Sequence, residues 1–280
     1  MHTIPKLAGF ATGLAALFGG AALAGGAVGP LRDKPVERPA KEAMGMSAMT
    51  TPQAVRGLAV SAGGLTLQLD RTTARPGRRF DLAFRITDRR GRTVRDFDVE
   101  HTRRMHLIVV RRDMTGFQHL HPTQRADGTW SAPVTLRDAG SYRVFADFSV
   151  NHKPQTLADD LTLDGTIRSQ RLPAPSRSAT VDGLKVTLTE GATRAGSESE
   201  LAFDVTRNGR PAAIGDYLGA KGHLVALRQG DLAFLHVHPD ADRLRFMAEF
   251  PTAGRYRLFL QFKTTDGRVH TAAFTQEVSR

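Results

Sequence analysis

One phrase is written twice in this chain, 117 positions apart. His106-Leu107-Ile108-Val109-Val110-Arg111 leads to Phe117-Gln118-His119-Leu120-His121-Pro122. Later, His223-Leu224-Val225-Ala226-Leu227-Arg228 leads to Phe234-Leu235-His236-Val237-His238-Pro239. Upstream, Leu82-Ala83-Phe84 returns as Leu201-Ala202-Phe203 at an offset of 119. Downstream, Gly140-Ser141-Tyr142-Arg143-Val144-Phe145 returns as Gly254-Arg255-Tyr256-Arg257-Leu258-Phe259 at an offset of 114. Only small insertions separate the copies, so a fold that suits one repeat must suit the other. The sequence therefore divides into repeats at 57–168 and 179–280, joined by a Pro-containing linker at 169–178.

Each repeat alternates short apolar segments with Gly, Asp and Pro. Leu65/Leu67/Leu69, Phe80/Leu82/Phe84/Ile86 and Val186/Leu188 recur with period two, as half-buried strands do. No downstream stretch sustains a helical stripe. About seven strands in roughly 100–110 residues predicts an all-β chain of two tandem Ig-like antiparallel β-sandwiches. Tyr142, Phe145, Tyr256 and Phe259 read as structural residues filling the space between the sheets.

Composition narrows the chemistry. Cysteine is absent, which removes disulfides, thiol nucleophiles and iron–sulfur ligation; a bound metal must use His, Met, carboxylate or water. The net charge of +11 raises the question of nucleic acid. Of the 39 basic residues 32 are Arg, scattered and often beside Asp, without a basic run interleaved with aromatics. The charge reads as an Arg-rich surface, with no nucleic-acid partner.

At the N-terminus, Lys6 precedes an uncharged run from Leu7 to Leu31. At 1.5 Å per residue it is long enough for a hydrocarbon core of about 30 Å. A positive residue before it directs the downstream chain outward, and Ala22-Leu23-Ala24 also fits a small-x-small cleavage pattern. Residues 1–31 are thus expected to be a membrane anchor or a signal segment, leaving the domains outside the cell, anchored or secreted. Residues 32–56 form a spacer with Pro35, Pro39 and Pro52. Within it lie Met44, Met46 and Met49, soft thioethers suited to collecting Cu(I), or else a chance cluster in a linker.

Ten histidines occur in the chain, and six fall in the duplicated phrase. If residues 106–111 and 116–121 pair as a hairpin with opposed positions summing to 227, His106 stands opposite His121. His119, two residues back, then projects from the same face. The same register groups His223, His236 and His238 in the second repeat. Three neutral imidazoles suit Cu(II) or Zn(II) and leave a position for water or a fourth ligand. Met105 could assist with Cu(I); the second repeat has Gly222 there. Asp113 and Asp231 would serve the hairpin turns or orient a ring nitrogen. Two other readings stand beside metal binding: His-x-His-Pro hydrogen-bonding loop backbone, and a pH-sensitive contact surface. His101, His152 and His270 have no counterpart in the other repeat and carry less weight.

Met105-His106-Leu107-Ile108-Val109-Val110 and Phe117-Gln118-His119-Leu120-His121-Pro122 resemble phrases of exported two-repeat Ig-like proteins of actinobacteria. More loosely, the repeats are similar to YtkA-like and CopC-like domains of envelope copper handling. The resemblance implies an exported metal-associated sandwich, although the free mature N-terminus at which CopC-like proteins hold copper has no clear equivalent here. The expectation is an extracytoplasmic metal-binding protein, for copper or else zinc, held near a membrane metal transporter or oxidase. The alternative is a metal-free envelope module that binds a protein or polymer through its loops. No catalytic fingerprint such as Gly-x-Ser-x-Gly, a phosphate loop or HExxH occurs, so no enzyme is expected.

Overall fold

A computed structural model describes residues 55–235 and 237–280; residues 1–54, with the expected membrane segment and Met44, Met46 and Met49, and also His236, lie outside them. The described residues form strands and turns, with no helix among them.

The first repeat opens with β1 (Ser61–Ala62), β2 (Leu65–Leu69), β3 (Thr73–Ala74), β4 (Arg79–Asp88) and β5 (His106–Arg111). It continues through β6 (Gln118–Leu120), β7 (Thr123–Gln124), β8 (Trp130–Thr135), β9 (Gly140–Val150) and β10 (Lys153–Leu163). These make two sheets, β1-β2-β4-β8-β7 and β3-β10-β9-β5-β6. β3 joins β10 in parallel, whereas β5, β9 and β10 are antiparallel.

The second repeat runs β11 (Ser178–Val181), β12 (Leu184–Glu190), β13 (Glu198–Arg207), β14 (Arg210–Pro211), β15 (Ile214–Gly215) and β16 (Gly222–Arg228). β17 (Phe234–Leu235), β18 (Val237–Pro239), β19 (Arg245–Glu249), β20 (Gly254–Thr264) and β21 (Val269–Val278) complete it. Its sheets are β11-β12-β13-β19-β18, with β14 beside β13, and β15-β20-β16-β17, with β21 beside β20.

Both repeats are Ig-like sandwiches, and both carry the corner that such sandwiches use to fix the strand entering the second sheet. The Tyr142 hydroxyl donates to the Asp138 carbonyl at 2.8 Å, and the Tyr256 hydroxyl to the Thr252 carbonyl at 2.9 Å. The rings of Tyr142 and Tyr256 lie in the two sandwich cores, as expected.

Phe145 and Phe259 do not. Each is three residues from its tyrosine, and in a strand an odd separation puts two side chains on opposite faces. Both Phe rings leave their sandwich and meet in a third apolar cluster, built from both repeats. Ile108, Val110, Phe145 and Ala158 of the first repeat pack there with Val225, Leu227, Phe259 and Ala273 of the second. Phe117 stacks on Phe259 at 4.0 Å between ring centroids, and Phe145 lies 5.6 Å from Phe234. The first repeat contributes the same positions as the second, so this is an isologous interface between two halves of one chain. Burying a phenylalanine there stabilises the pairing by about 1.5–3 kcal/mol.

The chain also ties the two halves together as it reaches the first sandwich. The Phe234 amide donates to the Arg56 carbonyl at 3.0 Å, and the Gly57 amide to the Thr156 carbonyl at 3.1 Å. Gly57 has φ +71° and no room for a side chain: a Cβ would stand 2.8 Å from both Phe145 and Phe234.

Candidate metal centre

β5 and β6 pair in the register that the sequence predicts, Leu107 with Leu120 and Ile108 with His119. His106 opens β5, and His121 follows directly on β6, so both stand at one end of the hairpin. Their shared face is the one that carries Ile108 and Val110 into the contact between repeats. Packing that face therefore encloses the histidines as well. His106 is 2% exposed and His119 9%.

One ring nitrogen from each of His106, His119 and His121 lies within 4.8 Å of the other two. Ring centroids are 5.2 Å apart for His106–His119, 5.2 Å for His106–His121 and 4.9 Å for His119–His121. A fourth ring comes from the second repeat. His223 stacks on His106 at 5.4 Å with 3° between planes, and on His119 at 4.7 Å. His106 and His223 are the same position of the duplicated phrase, so the interface brings each copy's histidine onto its counterpart.

Burial and mutual repulsion keep these rings neutral. Desolvation first, with some opposition from the Glu100 carbonyl bond, holds His106 at about 4. Desolvation and the neighbouring His106 hold His119 at about 3, and desolvation with the Arg103 charge holds His121 at about 4. His223 is pushed well below the ordinary histidine value by the same loss of water and the rings around it. At neutral pH each ring keeps an unprotonated nitrogen, the form that binds a metal.

Hydrogen-bond contacts link the rings in a chain. From the Glu100 carbonyl the contacts run to His106 Nε2 (3.2 Å), from His106 Nδ1 to His119 Nε2 (2.9 Å), and from His119 Nδ1 to Gln261 Oε1 (2.7 Å). Gln261 is set by Thr271, which its Nε2 reaches at 3.1 Å, and by the Tyr217 hydroxyl, 3.4 Å from Oε1. Two imidazole N–H groups and the Gln261 amide together can serve all three contacts, the amide presenting either its oxygen or its nitrogen to His119. His121 Nε2 is also buried without a hydrogen-bond partner.

Several expected ligands are not at this centre. Met105 precedes His106, so its side chain enters the core of the first sandwich on the opposite face. The expected triad of His223, His236 and His238 includes His236, which lies outside the described residues; His223 joins the first repeat's cluster, and His238 stands on β18, exposed and opposite Met247. Asp113 and Asp231 serve their turns, accepting from Thr115 and Ala233 backbone and from Arg111 and Arg228. His152 sits in an exposed turn, and buried His270 bonds Thr264 and Asp182.

Sequence reasoning passed over His101, whose ring is 5.7 Å from His223 and 6.2 Å from His106. It also passed over Gln261 and Asp147, which stand opposite His223 and His106 in their ladders. Comparing the repeats hides His101, because the second repeat has Leu218 in its place. The apolar run Leu107-Ile108-Val109-Val110 did carry a signal for the interface, since strands buried on both faces read as unbroken hydrophobic runs.

Residues 59–165 and 179–280 each match the profile of a domain of unknown function, DUF8832. The chain belongs to the DUF8832 family. No functionally curated protein matches the sequence. Among solved structures it is similar to FdeC, an Escherichia coli adhesin, at 14% identity and a TM-score of 0.28, over 79% of this chain and 66% of that one. It is similar to Salmonella alpha-2-macroglobulin at 15% identity and a TM-score of 0.29, over 81% and 15%. For invasin, a bacterial integrin-binding protein, the values are 11% and 0.22, over 76% and 39%. The chain spans less than two thirds of each of these proteins. At such scores none of them bears on function.

Proposed function

We propose that this DUF8832 protein is an extracytoplasmic metal-binding protein, with copper as the metal, and that it has one centre built jointly by its two repeats. His106, His119 and His121 supply the first repeat's nitrogens, and His223 closes the centre from the second. The observation that carries this reading is the buried triad itself: one ring nitrogen from each of His106, His119 and His121 lies within 4.8 Å of the other two. Burial keeps these rings neutral, and His121 Nε2 is buried without a hydrogen-bond partner, a nitrogen that a metal would engage.

The donor set agrees with the metal. Three neutral imidazoles suit Cu(II) or Zn(II), and the resemblance to envelope copper domains favours copper. The Gln261 side chain engages His119 Nδ1 and leaves Nε2 facing the cluster. The apolar run before the domains and the resemblance to envelope copper domains support an extracytoplasmic place.

Copper titration of untagged protein tests the reading. One tight site per chain is expected, weakened about 100-fold or more in the His119→Ala/His121→Ala variant. His223→Ala should weaken it as well, whereas His152→Ala, in an exposed turn, should leave it within about threefold of wild type. Undiminished binding in the double variant would remove the centre.

A further inference from the structure

One space beside the four rings opens towards solvent. A cavity of about 100 Å³ adjoins His106 and His223, with room for several waters. Its other polar walls are Glu100, His101, Asp147 and two arginines, Arg103 and Arg104. Glu100, Arg103 and Arg104 are exposed, His101 is half-buried and His106 is buried, so the lining leads from solvent to the cluster.

His101 is placed there by a strained turn. Glu100 and Arg103 exchange backbone hydrogen bonds at 2.7 and 2.9 Å around His101 (φ +48°) and Thr102 (φ +65°). The second repeat makes the matching turn with Leu218 and Gly219, where glycine accepts the positive φ without cost. A β-branched threonine in that conformation is an outlier, and strain of this kind is kept where the surrounding structure uses it. What the turn delivers is an imidazole at the mouth of the cavity.

Asp147 faces the same space from β9, directly across the ladder from His106. The Thr156 hydroxyl donates to its Oδ1 at 2.6 Å. The second repeat has Gln261 at this position, so only the first repeat's side of the centre carries a carboxylate. Arg103 and Arg104 repel a bare cation; the two carboxyl side chains, Glu100 and Asp147, offset them.

We infer that this cavity is the port through which the metal reaches and leaves the centre, with the His101 imidazole and the Asp147 carboxylate as its transient ligands. The inference rests on the metal reading above and adds to it a function in exchange rather than storage. A transition-metal ion lodged first on a half-exposed imidazole and a carboxylate sheds water in steps, then passes to the buried nitrogens.

Stopped-flow uptake of Cu(II), and its release to a chelator, test the port in the full chain. His101→Asn removes the imidazole while keeping a residue that tolerates positive φ, and Asp147→Asn keeps an acceptor for Thr156. Uptake and release should both slow about tenfold in either variant while Kd stays within about threefold, because a port changes both rates alike. Unchanged rates in both variants would overturn the inference. So would faster release with a proportionally weaker Kd, which would make His101 a permanent ligand. A wild-type chain that binds no copper would overturn the underlying reading instead.

Discussion

The two repeats carry the same histidine phrase and use it differently. In the first, β6 keeps His119 on β5, and the chain turns to the other sheet only after Pro122. In the second, the strand opposite β16 ends at Leu235, and β18 already pairs with β19 from Val237 onward. His238 is thereby carried to the other sheet, opposite Met247. Two local differences account for this. The offset between copies falls from 117 at the histidine phrase to 114 at Tyr142 and Tyr256, so the intervening connection is three residues shorter in the second repeat. Continuing the Thr123–Ser131 register two residues outward would oppose His121 to Pro133, which has no N–H to give. The second repeat has Met247 there, paired with His238. Identical ligands thus meet different sheets because of residues outside the motif.

What the repeats share is the interface, and it should show the largest effect. Phe145→Ala and Phe259→Ala are each expected to cost about 3–5 kcal/mol, and by similar amounts, since they occupy equivalent places in one cluster. Denaturant unfolding would read the loss; a cost from one alone would mean that the contact is not isologous.

The difference between repeats can be tested directly. Pro133→Met returns the missing donor to the edge of β8 and should draw His121 towards the sheet that holds β7. Copper affinity is expected to drop about tenfold while the fold persists. Unaltered affinity would show that the proline does not hold the two repeats apart.

A smaller and graded effect is expected from acid. His106, His119 and His121 are held at about 4, 3 and 4, below the ordinary 6.5, so the unfolded chain binds more protons between those values. Their contribution to stability is complete above about pH 6.5 and is lost as pH falls towards 4. Asp147 acts in the opposite sense: desolvation raises it to about 6, so its contribution is present in acid and is lost as pH rises through that value. Three rings outweigh one carboxyl, and the metal-free denaturation midpoint should fall from neutral pH to about pH 4. A His119→Gln variant should fall less steeply, and an equal slope would place the acid sensitivity elsewhere.

Much of this was legible in the residues. Period-two segments give the strands because alternate side chains face opposite sides, and the hairpin register comes from Arg111 meeting its turn. That register by itself gathers His106, His119 and His121. The repeat comparison then misled by discounting His101, and it gave no sign that His223 would join the first copy's rings. Neither point could be read locally, because the approach of the two repeats depends on residues far from the motif.

By itself, then, the sequence determined two sandwiches and one co-facial set of histidines, since both arise from side-chain alternation and short-range pairing. Tertiary packing alone decided that the sandwiches meet face to face, that His223 lies on His106, and that Gln261 orients His119 across 142 positions. Those contacts arise because Ile108, Val110 and Phe145 have a second apolar face to cover, and water is excluded from that face only when the other repeat closes over it.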